Sequence, residues 1–148
     1  MRIYLDVCAL NRPFDDQAQE RIHLESEAVL AIFDRFAHES GYSMVGSEAV
    51  DYEISRIPDP LKRQQVRFLS QFAEIRIPFT DEIIFRARQL QKSGFAGLDS
   101  LHLACAEEGA VQALLTTDDK LIQKALRNRK KLKVAVENPL KWLMEKMK

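Results

Sequence analysis

The sequence predicts an α/β fold: a three-layer α/β/α sandwich with a mainly parallel central sheet of about five strands. Three observations carry this expectation. Short apolar runs rich in β-branched or aromatic residues recur along the 148 residues. Between them lie longer stretches whose apolar positions follow helical spacing. Ser, Thr, Asp or Pro stands ahead of those stretches and Gly behind them, the punctuation of helix ends.

The elements follow in order. Ile3–Val7 is the first strand, broken by turn-forming residues between Asn11 and Asp16. Residues 18–39 carry Ile22, Val29, Phe33 and Phe36 on one helical stripe, ended by Gly41. Tyr42–Val45 is the second strand, and Ser47 caps a helix reaching Ile57. Pro58-Asp59-Pro60 stops that helix, and another runs from Leu61 to Phe72. Glu74–Ile77 is the third strand. Thr80 caps a helix from Asp81 to Ser93, closed by Gly94. Asp99 opens the most apolar helix, Ser100–Glu108, which Gly109 terminates. Ala113–Thr116 is the fourth strand, Asp118–Arg127 a helix, and Lys133–Val136 the fifth strand. Pro139–Met147 is the last helix, with Pro in its first turn. Leu140, Trp142, Leu143, Met144 and Met147 on it are assigned to core packing, with a dimer or partner surface as the alternative.

No boundary or repeat interrupts this series, so residues 1–148 form one domain. A chain of this length buries roughly 68–70% of its unfolded surface. Hydrophobic residues at 46% and charged residues at 30% exclude low-complexity disorder. The longest apolar runs, such as Ala28–Phe33, are far short of the ~20 residues of a membrane span. The first six residues lack a secretory pattern, and Cys8 and Cys105 make no metal-type or redox-type pair. A reduced, cytoplasmic setting is the expectation.

Charge is balanced overall but not along the chain. Residues 118–148 hold ten basic and four acidic side chains, a net +6, leaving −6 for residues 1–117. The basic run Arg127-Asn128-Arg129-Lys130-Lys131 fits contacts to a nucleic-acid backbone, or a solvated helix end.

In an open parallel sheet, ligands bind beyond the carboxyl ends of the strands. Asp6 closes the first strand, Asp118 follows the fourth, and Asp99 opens the helix leading into the fourth. Helical phase adds another acid. Taking Val50 as zero, Ile54 lies near ~40°, Ile57 near ~340° and Ala49 near ~260°. Glu53, near ~300°, falls inside that apolar arc, whereas Asp51 and Glu48 point away. Four converging carboxylates repel one another unless a hard divalent cation, Mg²⁺ or Mn²⁺, relieves them. The scattered His23, His38 and His102 argue against zinc. Each acid also has an ordinary reading: Asp99 and Asp118 as helix caps, Asp6 as a strand end, Glu53 paired with an arginine.

Ile3-Tyr4-Leu5-Asp6, then Ser47 with Glu53, then Gly97-Leu98-Asp99-Ser100-Leu101-His102-Leu103-Ala104, then Leu115-Thr116-Thr117-Asp118 resemble the PIN domain. They stand in that family's order and span nearly the whole chain. PIN domains similar to this one include VapC-type toxins of bacterial toxin–antitoxin pairs. The resemblance implies a Mg²⁺- or Mn²⁺-dependent endoribonuclease, with Asp6, Glu53, Asp99 and Asp118 as catalytic metal ligands. It also implies an RNA substrate, a cognate antitoxin and a homodimer. Thr116 resembles the family's hydroxyl residue before the last acid, and Arg12 is a candidate phosphate contact.

One departure concerns Cys8, which stands where the family commonly has a small polar residue or Asn. A thiol suits Mg²⁺ poorly, and Asn11 is the candidate to take up a polar role nearby. The alternative is a catalytically inactive PIN-like module that binds RNA or docks protein. A doubly wound phosphatase fits less well: Asp6-Val7-Cys8 lacks the second Asp of such a nucleophile motif.

Overall fold

The structure is a computed structural model and describes residues 1–147. Its strands are β1 (Arg2–Leu5), β2 (Ser43–Ser47), β3 (Ala73–Ile77), β4 (Ala113–Leu115) and β5 (Ala135–Glu137). They form one sheet in the order β3-β2-β1-β4-β5, and every pairing is parallel. The helices are α1 (Val7–Asn11), α2 (Glu20–His38), α3 (Glu48–Ser55) and α4 (Pro60–Ser70). They continue with α5 (Asp81–Lys92), α6 (Gly97–Glu108), α7 (Asp119–Arg127) and α8 (Pro139–Lys146). A single 3-10 turn, Arg12–Phe14, follows α1.

Burial explains the layering. Ile3, Tyr4 and Leu5 are consecutive on the central strand and all fully buried. Successive strand side chains point to opposite faces, so both faces of the sheet are covered. The fold is the expected three-layer α/β/α sandwich.

Strand order also fixes where a ligand can bind. The chain winds one way from β1 to β2 and β3, then the other way to β4 and β5. That reversal opens a crevice between the carboxyl ends of β1 and β4. The two strands pair directly, Leu5 opposite Leu115, and the Asp6 N–H donates to the Leu115 carbonyl at 3.1 Å.

Local differences from the sequence reading have identifiable causes. β1 ends at Leu5, because the Asp6 side chain accepts the Ala9 N–H at 3.0 Å and starts α1. Val7 is therefore helical, and the predicted turn from Asn11 is first the end of α1, then the 3-10 turn. α6 begins two residues before Asp99, so Asp99 sits in its first turn and does not cap it. Gly41 lies beyond the end of α2, whose last residue is His38. Gly94 closes α5 at φ 104°, as a left-handed glycine should. After α6 that conformation falls instead to Ala110, at φ 52°. Gly109 answers a different need: a Cβ there would meet Val45 Cγ1 at 2.9 Å. On α8, Trp142 and Leu143 enter the core as expected, while Met144 and Met147 are exposed.

Candidate metal centre

Asp6 follows β1 and Asp118 lies three residues beyond β4, at the carboxyl ends of two paired strands, and each side chain is held as a helix cap. Asp118 Oδ1 accepts the backbone N–H groups of Lys120 and Leu121 at the start of α7. Thr116, fully buried at the end of β4, links the two acids. Its Oγ1 accepts the Asp118 N–H at 3.1 Å, and its hydroxyl favours the charged form of Asp6.

Burial still dominates at Asp6 and pushes its carboxyl up to about 6. The Thr116 hydroxyl, His102 and the Ala9 N–H oppose that rise, and Glu53 adds to it. Asp99, from the first turn of α6, is raised by the same cause, with further repulsion from Asp118 and Glu53. The Lys124 ammonium works in the other direction. Among the described residues Asp99 accepts no hydrogen bond, so helix capping does not account for it.

Glu53 lies on the predicted side of α3: Glu48 and Asp51 are exposed, and Glu53 is half-buried. Its partner is a histidine and not an arginine, His102 Nε2 to Glu53 Oε1 at 2.7 Å. His102 is buried, and its Nδ1 lies 2.6 Å from the Tyr4 hydroxyl, itself 2.6 Å from Ser47 Oγ. Sequence reading passed over His102 as one of three scattered histidines. The available signal was its position three residues after Asp99, a spacing that puts both on one helix face.

Cys8 marks where the acids converge. Its thiol is pushed well above the ordinary range by burial and then by Asp6, Glu53, Asp118 and Asp99, in that order. All four predicted acids thus act on one half-buried sulfur, which stays a neutral thiol and not a reactive thiolate. Asn11 lies at the end of α1, and its Oδ1 is buried without a hydrogen-bond partner among the described residues. Arg12 is engaged within the protein, donating to Glu25 Oε1 at 2.8 Å and to Asp15 Oδ2 at 3.2 Å. Asp119, next to Asp118, is taken by the Arg21 guanidinium through two 2.8 Å bonds and held below the usual carboxylate range.

Among the described residues, no three His, Cys, Asp or Glu side chains form a ready-made metal cluster. The donor chemistry nonetheless suits a hard cation. It consists of carboxylate oxygens, two of them desolvated and repelled by their neighbours, and one amide oxygen lacking a partner. No described helix is long and apolar enough to cross a membrane.

A wholly parallel α/β/α sandwich with carboxylates at its strand-order reversal defines the class. Eleven chains of solved structures match the fold. One is a chain of VapBC2 from Rickettsia felis, in a crystal structure with a DNA fragment from their promoter. The match covers 93% of this chain and 98% of that one, with a TM-score of 0.57 and 14% identity. No curated protein sequence matches the chain. Residues 3–126 match the PIN domain, and the chain belongs to the PIN-domain family.

Proposed function

We propose that this single-domain chain is a divalent-metal-dependent endoribonuclease, the toxin of a toxin–antitoxin pair. Its metal ligands are Asp6, Glu53, Asp99 and Asp118, and the metal is Mg²⁺ or Mn²⁺. The observation that supports the reading is that Asp6, Glu53, Asp118 and Asp99 all raise the thiol of half-buried Cys8, beside the paired ends of β1 and β4. Asp99 is half-buried and accepts no hydrogen bond among the described residues, and the net effect of burial and its acidic neighbours raises its carboxyl despite His102 and Lys124.

A bound divalent cation would supply an activated water and offset charge gathering on the scissile phosphate. The protein's own groups set the geometry. Thr116 holds Asp6 and the Asp118 backbone in one register, and the caps of α1 and α7 fix both carboxylates. Asn11 Oδ1, without a partner among the described residues, would accept a hydrogen bond from a bound water. The attacking water forms a bond to phosphorus as the P–O3′ bond breaks, leaving a 5′-phosphate and a 3′-hydroxyl.

A cognate antitoxin and a second copy of the chain belong to the same reading. Exposed apolar side chains support such partners: Leu61 and Phe68 stand seven residues apart on α4, and Phe85 is on α5. Likeness to VapBC2 adds support at the level of fold.

An Asp6→Asn variant tests the enzyme. On a panel of labelled RNAs with Mg²⁺ or Mn²⁺, cleavage falls by about a hundredfold or more. Undiminished cleavage removes Asp6 from the mechanism. The inactive-module alternative is tested by melting: a nuclease rises in Tm with free Mn²⁺, and an inert scaffold does not.

A further inference from the structure

Three polar side chains are sealed in the core directly behind the acids. Tyr4 on β1 and Ser47 at the end of β2 are fully buried, and His102 on α6 is nearly so. They join three elements to Glu53 on a fourth, through contacts of 2.6, 2.6 and 2.7 Å. Burying four polar groups is unfavourable unless each is satisfied.

With an ionised Glu53 and a neutral His102, one arrangement of protons satisfies the row. The Val50 N–H donates to Ser47 Oγ at 3.1 Å. The Ser47 O–H donates to the Tyr4 oxygen, the Tyr4 O–H to His102 Nδ1, and the His102 Nε2–H to Glu53 Oε1. The opposite ring tautomer would set a bare nitrogen against a carboxylate oxygen at 2.7 Å, two acceptors with no proton between them.

We propose that His102, backed by Tyr4, is a positioning residue that fixes the Glu53 carboxylate for cation binding. It rests on the metal-centre reading above. The row ties down Oε1, and among the described residues Oε2 has no hydrogen-bond partner. Glu53 needs such a tie more than the other acids do. Asp6 and Asp118 are pinned by backbone N–H groups at helix starts, whereas Glu53 sits in the last turn of α3, away from free N–H groups, on a longer side chain with more rotamers to lose. Histidine fits because its rigid neutral ring accepts from Tyr4 on one edge and donates to Glu53 on the other. A group that orients a ligand typically contributes ten- to a hundredfold in metal affinity, roughly the range for supports behind metal ligands elsewhere.

The test is direct Mn²⁺ binding to the full chain, followed by titration calorimetry, with melting in EDTA as the measure of fold. His102→Leu keeps the volume and loses the donor, and Mn²⁺ binding weakens about tenfold or more. His102→Gln places an N–H near the position of Nε2 and recovers much of that loss. Tyr4→Phe keeps the ring, frees the imidazole, and weakens binding less than His102→Leu; it serves also if His102→Leu does not fold. Nitrogen-correlated NMR of metal-free protein reads the ring directly and shows a proton on Nε2. A neutral ring protonated only on Nδ1 overturns the proposal. So does folded His102→Leu, or Tyr4→Phe in its place, binding Mn²⁺ as tightly as wild type. A wild-type chain that binds no Mn²⁺ overturns the metal reading itself, a result distinct from either.

Discussion

At Asp6 the chemistry of the site is in direct conflict with stability. Its carboxyl ionises near 6 when folded, against 3.8 when exposed, because burial penalises the charge. Between those values the folded chain binds more protons than the unfolded one, so stability falls as pH rises, and the loss is complete above about 6. The shift corresponds to about 3 kcal/mol at neutral pH. Asp6→Asn removes the charge yet keeps an oxygen for the Ala9 N–H. In EDTA at pH 7.5 the variant therefore melts higher than wild type, and the gap narrows towards pH 4. Thermal melts at the two pH values check this; a variant no more stable at pH 7.5 contradicts it. Added Mn²⁺ raises the wild type and leaves the variant nearly unmoved. Asp6, Asp99 and Asp118 are legible in the sequence because strand ends and helix starts are local features, and Glu53 because helical phase is. Tyr4 and His102 are not, since a polar atom at the tip of a core residue looks apolar until its distant partner is known.

Asp118 caps α7, and the proposed function gives it a second job as a metal ligand. Serine can do the first and not the second. Asp118→Ser keeps an oxygen for the Lys120 and Leu121 N–H groups, so it stays close to wild type in stability. Asp118→Ala loses the cap and costs about 1 kcal/mol. If capping were its only role, serine would preserve Mn²⁺ binding and cleavage. The expected outcome is that both variants lose them equally while differing in Tm, measured by calorimetry alongside cleavage assays. Element limits show the same double use of residues. α1 was hidden because five residues are too few for a helical period to declare itself, and Val7 continues the β-branched run of β1. Gly109 reads as a helix stop, but its observed reason, the approach of Val45, belongs to packing between α6 and β2. Such long-range contacts leave no mark on local sequence.

Polarity of the whole molecule separates the acids from the basic run. In a parallel sheet all carboxyl ends lie on one edge, and the following helices return to the other. α7 is capped by Asp118 and runs nine residues, from Asp119 to Arg127, so it ends about 13 Å away. Arg129, Lys130 and Lys131 follow on that far side. The turn there is also occupied: Arg86 donates to the Lys131 carbonyl at 2.6 Å, and the Lys133 N–H to Glu107 at 2.9 Å. The net +6 of residues 118–148 is thus spread along the chain: Lys124 acts on Asp99, whereas the 129–131 run does not border the crevice. A short RNA bound at the acids cannot reach these side chains without bridging the full length of α7. Replacing Arg129, Lys130 and Lys131 together by Gln should leave kcat/KM on a short oligonucleotide within about twofold, a change below that expected for lost phosphate contacts. The slope of log affinity against log salt should stay unchanged as well. Were the three cations neutralising phosphates of the bound strand, the slope would shallow by about 0.7 for each one lost. A drop of two units would therefore move the RNA path to the opposite edge of the sheet.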